Sequence, residues 1–191
     1  YAEMQELAAA GAKVLNPQAV QFAKDKDIAL FCKKTGSDDV GTVIRKDAPT
    51  PKGGVRGVAH RQQLFLLQAS FAQTAKLTAV LAEHKLTPTQ MLGSVDGGTQ
   101  VLIAPDDAHG IDQLFASLPD GVERNDDVGA VSLIGDGLLQ DSSAVLACWK
   151  VLADENIDVR GFSTSSFRAT FLVAPSDTER ATQLLHDVTV R

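Results

Sequence analysis

Cysteine is scarce: Cys32 and Cys148 are the only two in 191 residues. They lie far apart and fit neither a CxxC metal pattern nor a secreted disulfide framework, so both read as reduced, small apolar core residues of a cytoplasmic protein. Histidine is sparse too, with four. His60, His84, His109 and His186 show no pair at metal-ligand spacing and no cysteine near them, and they read as surface or helix-face residues. No apolar run approaches the roughly 20 residues of a membrane span. The N-terminal Tyr1-Ala2-Glu3-Met4 carries no basic, apolar signal sequence, and an opening on Tyr1 reads as a piece of something longer. A dense Lys/Arg stripe is also missing. The 18 basic and 24 acidic residues leave a net charge of -6, which argues against a nucleic-acid or anionic-membrane partner and leaves small molecules and proteins.

The machinery of several reaction classes is absent too. Gly53-Gly54 and Gly135-Asp136-Gly137 do not have the pattern of a phosphate-cradling loop and read as a linker and a turn. Ser142-Ser143 and Ser163 to Ser166 are unaccompanied by histidine and carboxylate in any recognisable order, so caps and turns are their expected duties.

What is present is a chain 44% hydrophobic, long enough for one ordinary domain or two small ones. Met4, Leu7, Ala8, Gly11 and Leu15 recur at helical spacing, and Asn16-Pro17 reads as the N-cap and first residue of a second helix running to about Asp27. Ile28 to Lys33 is strand-like. Thr35 to Gly54, rich in Gly, Pro, Asp and Lys, reads as a connector and marks a domain boundary.

Beyond the connector the pattern repeats. Leu77, Val80, Leu81 and His84 share one helix face, and Val145, Cys148, Trp149 and Leu152 repeat that spacing. Ile111, Leu114, Phe115 and Leu118 are answered in the same way by Ala181, Leu184, Leu185 and Val188. Each copy opens on an apolar strand, Leu64 to Ser70 or Val128 to Gly135. A hairpin follows its first helix: Gln90 to Ser94 with Thr99 to Ala104 around Asp96-Gly97-Gly98, or Val159 to Ser165 with Phe167 to Ala174. Ser176-x-x-Glu179 reads as a capping box for the last helix. The order β-α-β-β-α, closed by a last short strand, predicts an α+β fold of two tandem ferredoxin-like βαββαβ units after a short helix-and-strand segment. Such units bury one sheet face under their helices and commonly associate, so a dimer is expected.

Tyr1-x-Glu3-Met4-x-Glu6-Leu7-Ala8-x-x-Gly11-Ala12-Lys13-Val14-Leu15-x-Pro17-x-Ala19-Val20 resembles the segment that closes the catalytic domain of aspartate kinases. Gly41-Thr42-Val43-Ile44 looks like the exit from that domain. Asn156-Ile157-Asp158-Val159 followed by Ser163-Thr164-Ser165 is similar to the second ACT domain of the same enzymes. The resemblance implies residues 1–45 as the end of the kinase domain, 46–60 as linker and strand, 61–125 as ACT domain 1 and 126–191 as ACT domain 2. It also implies that the first ACT unit is inserted in the second, with Val55 to His60 belonging to the latter. The complete enzyme would phosphorylate aspartate with ATP and Mg, as a homodimer through its ACT domains or with a separate catalytic subunit, under restraint by lysine or threonine. The chain alone would hold no catalytic residue, cofactor or metal.

An effector's carboxylate suits the free N–H groups at the start of each copy's first helix. Those loops are Ser70-Phe71-Ala72-Gln73-Thr74 and Gln140-Asp141-Ser142-Ser143. The remaining candidates are Thr87, Thr89, Gly93, Ser94, Ser163, Thr164, Ser165 and Ser166. Set against the family pattern, Gln73-Thr74 and Ser142-Ser143 stand where an acid or histidine precedes Pro-Gly, Thr89 and Ser166 stand for acids, and Gly93-Ser94 stands for a Gln-Asn pair. A charge-assisted contact contributes about 1.5 to 3 kcal/mol, so losing two would weaken binding roughly a hundredfold. An ACT scaffold with weakened feedback is therefore the alternative to an effector sensor.

Overall fold

The computed structural model describes residues 1–46, 54–93, 98–107 and 110–190, so Ser94, His109 and most of the turn Asp96-Gly97-Gly98 lie outside the described residues. The chain divides into two compact units: Tyr1–His60 with Val131–Val173 and Asp177–Arg191, and Arg61–Ala130 with Ala174–Ser176.

The first unit opens with two short helices, α1 (Ala2–Ala9) and α2 (Pro17–Asp25). Asn16 caps α2 as its sequence demands, its Oδ1 accepting from the amides of Gln18 at 2.8 Å and Ala19 at 3.3 Å, with Pro17 in the first turn. Strands β1 (Leu30–Cys32) and β2 (Thr42–Ile44) pair antiparallel, so the expected connector carries a strand of its own. The turn between them needs glycine. Gly41 has φ +66°, and a Cβ there would lie 2.2 Å from the Cys32 carbonyl oxygen. Leu7 and Ala12 of the N-terminal segment pack with Ala10 on Ala59 and Ile134, and Arg168 pairs with Glu6 at 3.5 Å.

Two long strands, β3 (Gly57–Ala69) and β6 (Glu123–Ile134), each contribute residues to both units. In the second unit the chain continues through α3 (Phe71–Glu83), β4 (Gln90–Gly93), β5 (Thr99–Ile103) and α4 (Ile111–Ala116), and the strand order is β4-β5-β3-β6. β5 pairs antiparallel with both neighbours, Phe65 facing Ile103 and Gln90 facing Leu102. This is the ferredoxin-like order, with β6 as the closing strand. The core is Leu67, Leu77, Leu81, Val101, Ile103 and Leu114. Phe65 meets Phe115 edge-on at 4.9 Å, and the Arg124 guanidinium lies 4.1 Å from the Phe115 ring centre.

The first unit repeats the design with α5 (Ser143–Asp154), β7 (Gly161–Thr164), β8 (Arg168–Val173) and α6 (Thr178–Thr189). Its strand order β7-β8-β6-β3 gives it the upstream start of β3 as closing strand in place of the one expected after the last helix, in agreement with the expectation that Val55 to His60 belong with the second copy. Phe171 is the fully buried centre, with Phe162 at 5.0 Å and Trp149 at 5.4 Å. Cys148 is buried beside them in the same core. The repeat extends to the ends of the first helices. Lys85 and Asn156 take positive φ, and the amides of Leu86 and Ile157 close back on the carbonyls of Leu81 and Leu152 at 2.9 Å. That is a Schellman ending in both copies.

The capping box expected at Ser176 and Glu179 does not form. Pro175–Asp177 is a single 3₁₀ turn, Asp177 becomes the N-cap of α6 with no side-chain cap bond, and helix begins at Thr178.

Candidate functional site

In the second unit, Ser70 leaves β3 in an extended conformation and is the N-cap of α3. The Ser70 amide and hydroxyl at that helix start are met from within the chain. Gln73 turns its carboxamide back, and its Oε1 accepts from the Ser70 amide at 2.9 Å and the Ser70 hydroxyl at 2.7 Å. The other end of the same carboxamide donates from Nε2 to the Asp120 carbonyl at 2.7 Å. Gly121 makes room for it: with φ +81°, a Cβ at this position would lie 2.3 Å from Gln73 Nε2. Thr74 Oγ1 donates to the Ser70 carbonyl at 3.0 Å and meets Thr99 Oγ1 at 2.9 Å, which ties the first turn of α3 to β5.

Beside this helix start lies a cavity of about 280 Å³ lined by Gln68, Ala69, Ser70, Phe71, Gly98, Thr99 and Gln100. Phe71 stands 81% exposed at its edge. Of the sequence candidates, Ser70 and Phe71 line the cavity; Ala72, Gln73 and Thr74 belong to the first turn of α3 but do not line it. Thr87 is exposed in the loop before β4, and the Thr89 amide is spent on the Leu102 carbonyl at 2.8 Å. Gly93 ends β4 opposite Thr99. Gln68, Gly98, Thr99 and Gln100 were not found from the sequence. Their signal is register, because Thr99 faces Ala69 on one side and Gly93 on the other.

At the corresponding helix start in the first unit one donor is likewise met from within the chain. Asp141 Oδ1 accepts from the Ser143 amide at 2.9 Å, and that bond from backbone, with the Ser143 side chain behind it, holds the carboxyl below its ordinary range. Ser163 and Thr164 are paired in the β7–β8 ladder with Thr170 and Ala169. Ser165 Oγ accepts from the Arg168 amide at 3.1 Å, and the Ser166 carbonyl accepts from the amides of Gly137 and Leu138 at 3.0 and 3.2 Å. These serines build turns.

A larger cavity of about 560 Å³ in the first unit was not anticipated; it is lined by, among others, Tyr1, Glu3, Lys24, Asp27, Arg45 and Asp136. Its lining mixes carboxylates with cations and selects no single charge. Among the described residues, no group of three or more His, Cys, Asp or Glu is placed to hold a metal ion, and no helix is long and apolar enough to cross a membrane.

No family model matches the chain. Aspartokinase 2 of Bacillus subtilis is 27% identical over 204 residues, which cover 98% of this chain and 49% of that protein. The crystal structure of E. coli aspartokinase III in complex with aspartate and ADP is 25% identical, with a TM-score of 0.84 over 98% of this chain and 45% of that one. The regulatory subunit of aspartate kinase from Thermus flavus, 18% identical, superposes with a TM-score of 0.59 over 71% of this chain and 99% of its own, a likeness of fold. The chain spans about half the length of the curated relatives it matches. Along 98% of its length this chain is homologous to the C-terminal half of aspartokinases, and its fold is that of aspartokinase regulatory regions.

Proposed function

We propose that this chain is the regulatory part of an aspartate kinase, an enzyme that uses ATP to phosphorylate L-aspartate to 4-phospho-L-aspartate for lysine, threonine and methionine biosynthesis in the cytoplasm. The observation that carries the reading is the match along nearly the whole chain, from the opening helices through both ferredoxin-like copies. Residues 1–45 close the catalytic domain, 46–60 lead into the ACT pair, and 61–125 with 126–191 form its two domains. In this reading the ATP, Mg and aspartate sites belong to the other half of the enzyme. Dimerisation through the ACT domains completes the assignment. In the sensor form of this reading, a lysine or threonine effector sits against Ser70, Phe71, Thr99 and Gln100, where the second unit has its cavity.

A second form, an ACT scaffold with weak or lost feedback, is favoured by one observation: Gln73 in one copy and Asp141 in the other already hold donors that an effector carboxylate would need. Assay of the gene product containing this chain, by trapping aspartyl phosphate as its hydroxamate, tests the assignment. Aspartate-dependent product from the longer polypeptide and none from the 191 residues alone is the expected result. Product from the 191 residues alone, or none from either, overturns it.

A further inference from the structure

A strand covered on one face alternates apolar with polar residues, whereas a strand covered on both reads as a continuous apolar run. β1 and its approach are of the second kind. Ile28-Ala29-Leu30-Phe31-Cys32 is apolar throughout, and β2 sets Val43 and Ile44 opposite Phe31 and Leu30. Yet this ribbon is covered on one face only. Leu30, Cys32 and Ile44 share the inner face, where Ile44 is buried, while Phe31 on the outer face stands 63% exposed beside Val43. Ile28 and Val40, just outside the two strands, are exposed as well, and on α2 Phe22 stands 61% exposed although Val20 and Ala23 are buried. The ribbon also keeps open edges: among the described residues β1 and β2 pair with each other and with no third strand. Two strands alone are marginal in water, so a ribbon with apolar residues on both faces and bare edges is built to join a larger sheet.

We propose that the outer face and open edge of the β1–β2 ribbon, with Phe22 of α2, form the interface for the polypeptide that precedes this chain, which lays a strand along the ribbon and covers Phe31 with apolar side chains. That occupant is chosen over a second copy of the chain by what the chain matches. The match takes in 98% of this chain but 49% of Aspartokinase 2 of Bacillus subtilis, in its C-terminal half, and the ribbon lies before both ferredoxin-like copies, on the side toward the other half of that protein. The inference rests on the proposed function for the identity of the partner, the catalytic half of the enzyme. It goes further by naming the surface that holds the two halves together.

The test is amide hydrogen exchange over residues 28–33 and 40–45, compared between the 191-residue chain and the longer polypeptide that contains it. Exchange there is expected to be at least about tenfold slower in the longer polypeptide, because an edge that gains a strand stops opening locally. Phe31→Asp is expected to leave the shorter chain folded, since the side chain is exposed in it, and in the longer polypeptide to return the ribbon to the faster rate or to prevent folding. Equal exchange in the two overturns the inference, as does a Phe31→Asp substitution that leaves the slow exchange of the longer polypeptide untouched. Protection of the shorter chain that grows with its own concentration assigns the surface to a second copy and overturns it too. The readout is contact and not phosphorylation, so the two readings fail separately. Aspartyl phosphate formed without protection overturns the interface alone, and protection without product leaves the interface standing while the enzyme assignment falls.

Discussion

Replacing Gly121 with alanine attacks the hydrogen bond from Gln73 to Asp120 without touching Gln73. Two costs follow from the geometry. At φ +81° an L side chain sits in the left-handed region, which costs roughly 1 to 2 kcal/mol. The new Cβ, 2.3 Å from Gln73 Nε2, also expels the carboxamide from the Asp120 carbonyl and forfeits a hydrogen bond contributing about 1 kcal/mol. Gly121→Ala should therefore destabilise by about 2 to 3 kcal/mol, while in a Gln73→Ala background, where the hydrogen bond is already gone, only the backbone cost of about 1 to 2 kcal/mol remains. The assay is a double-mutant cycle in urea, followed by far-UV circular dichroism and by hydrogen exchange of the α3 core amides. A coupling near 1 kcal/mol is the expected result. Strict additivity of the two substitutions would refute a stabilising bond from Gln73 to Asp120, and a neutral Gly121→Ala would refute the backbone cost as well.

Other consequences are simpler to read. Phe171→Ala empties a fully buried site between Trp149 and Phe162 and should cost about 3 to 5 kcal/mol, with the Trp149 fluorescence spectrum reporting the loosened packing; a loss below 1 kcal/mol would mean the core collapses to fill the space. Burial pushes the Cys148 thiol up to about 12, whereas Cys32 is only part-buried, so a thiol reagent at pH 8 should label Cys32 alone until the chain unfolds. Rapid labelling of Cys148 in the folded chain would contradict its placement. Asp141 has its folded-state pKa lowered, so its stabilising bond to Ser143 is present above the ordinary carboxylate range and is lost as pH falls through the folded value. The stability gap between the native chain and Asp141→Ala should therefore narrow below about pH 4, and a gap constant from neutral to acid pH would show that Asp141 is not linked to folding.

The helices were legible in the sequence because each buries one stripe: Leu77 and Leu81 of α3, and Val145, Cys148 and Leu152 of α5, are buried as their spacing required. The strands were read short. Gln62, Gln63 and the run Glu123 to Asn125 are exposed and polar, so the start of β6 and the middle of β3 carry no apolar alternation to betray them. β2 was hidden for a different reason: three residues in a connector rich in glycine and proline leave no periodicity to count. The local pattern put the closing strand of the first unit after α6, and only the resemblance pointed to Val55 to His60, because strand order is set by pairing between residues far apart in sequence, about which local pattern reports nothing. At the candidate site, Ser70 was found because an N-cap is a local signal. Gln68, Thr99 and Gln100 were missed because only the register of β5 against β3 brings them together.

At each of the two helix starts one backbone donor is taken by a side-chain oxygen, neutral at α3 and charged at α5, and that difference orders them as places for a ligand. At α5 the oxygen is that of Asp141, just before the N-cap Ser142, a carboxylate whose charged form the Ser143 amide favours, so an incoming carboxylate meets a like charge as well as an occupied donor. At α3 the side chain that reaches back to the N-cap Ser70 is Gln73, neutral, so the obstacle is competition for hydrogen bonds and not repulsion. A competitor without charge can be displaced at a cost of two or three ordinary hydrogen bonds, each about 1 kcal/mol, provided the ligand replaces them. Repulsion is not recovered by any such replacement. Sensitivity to an amino acid, whether native or engineered, should therefore arise at α3 before α5. A response that vanishes on substitution of Asp141 but survives every change at Gln73 would reverse that order.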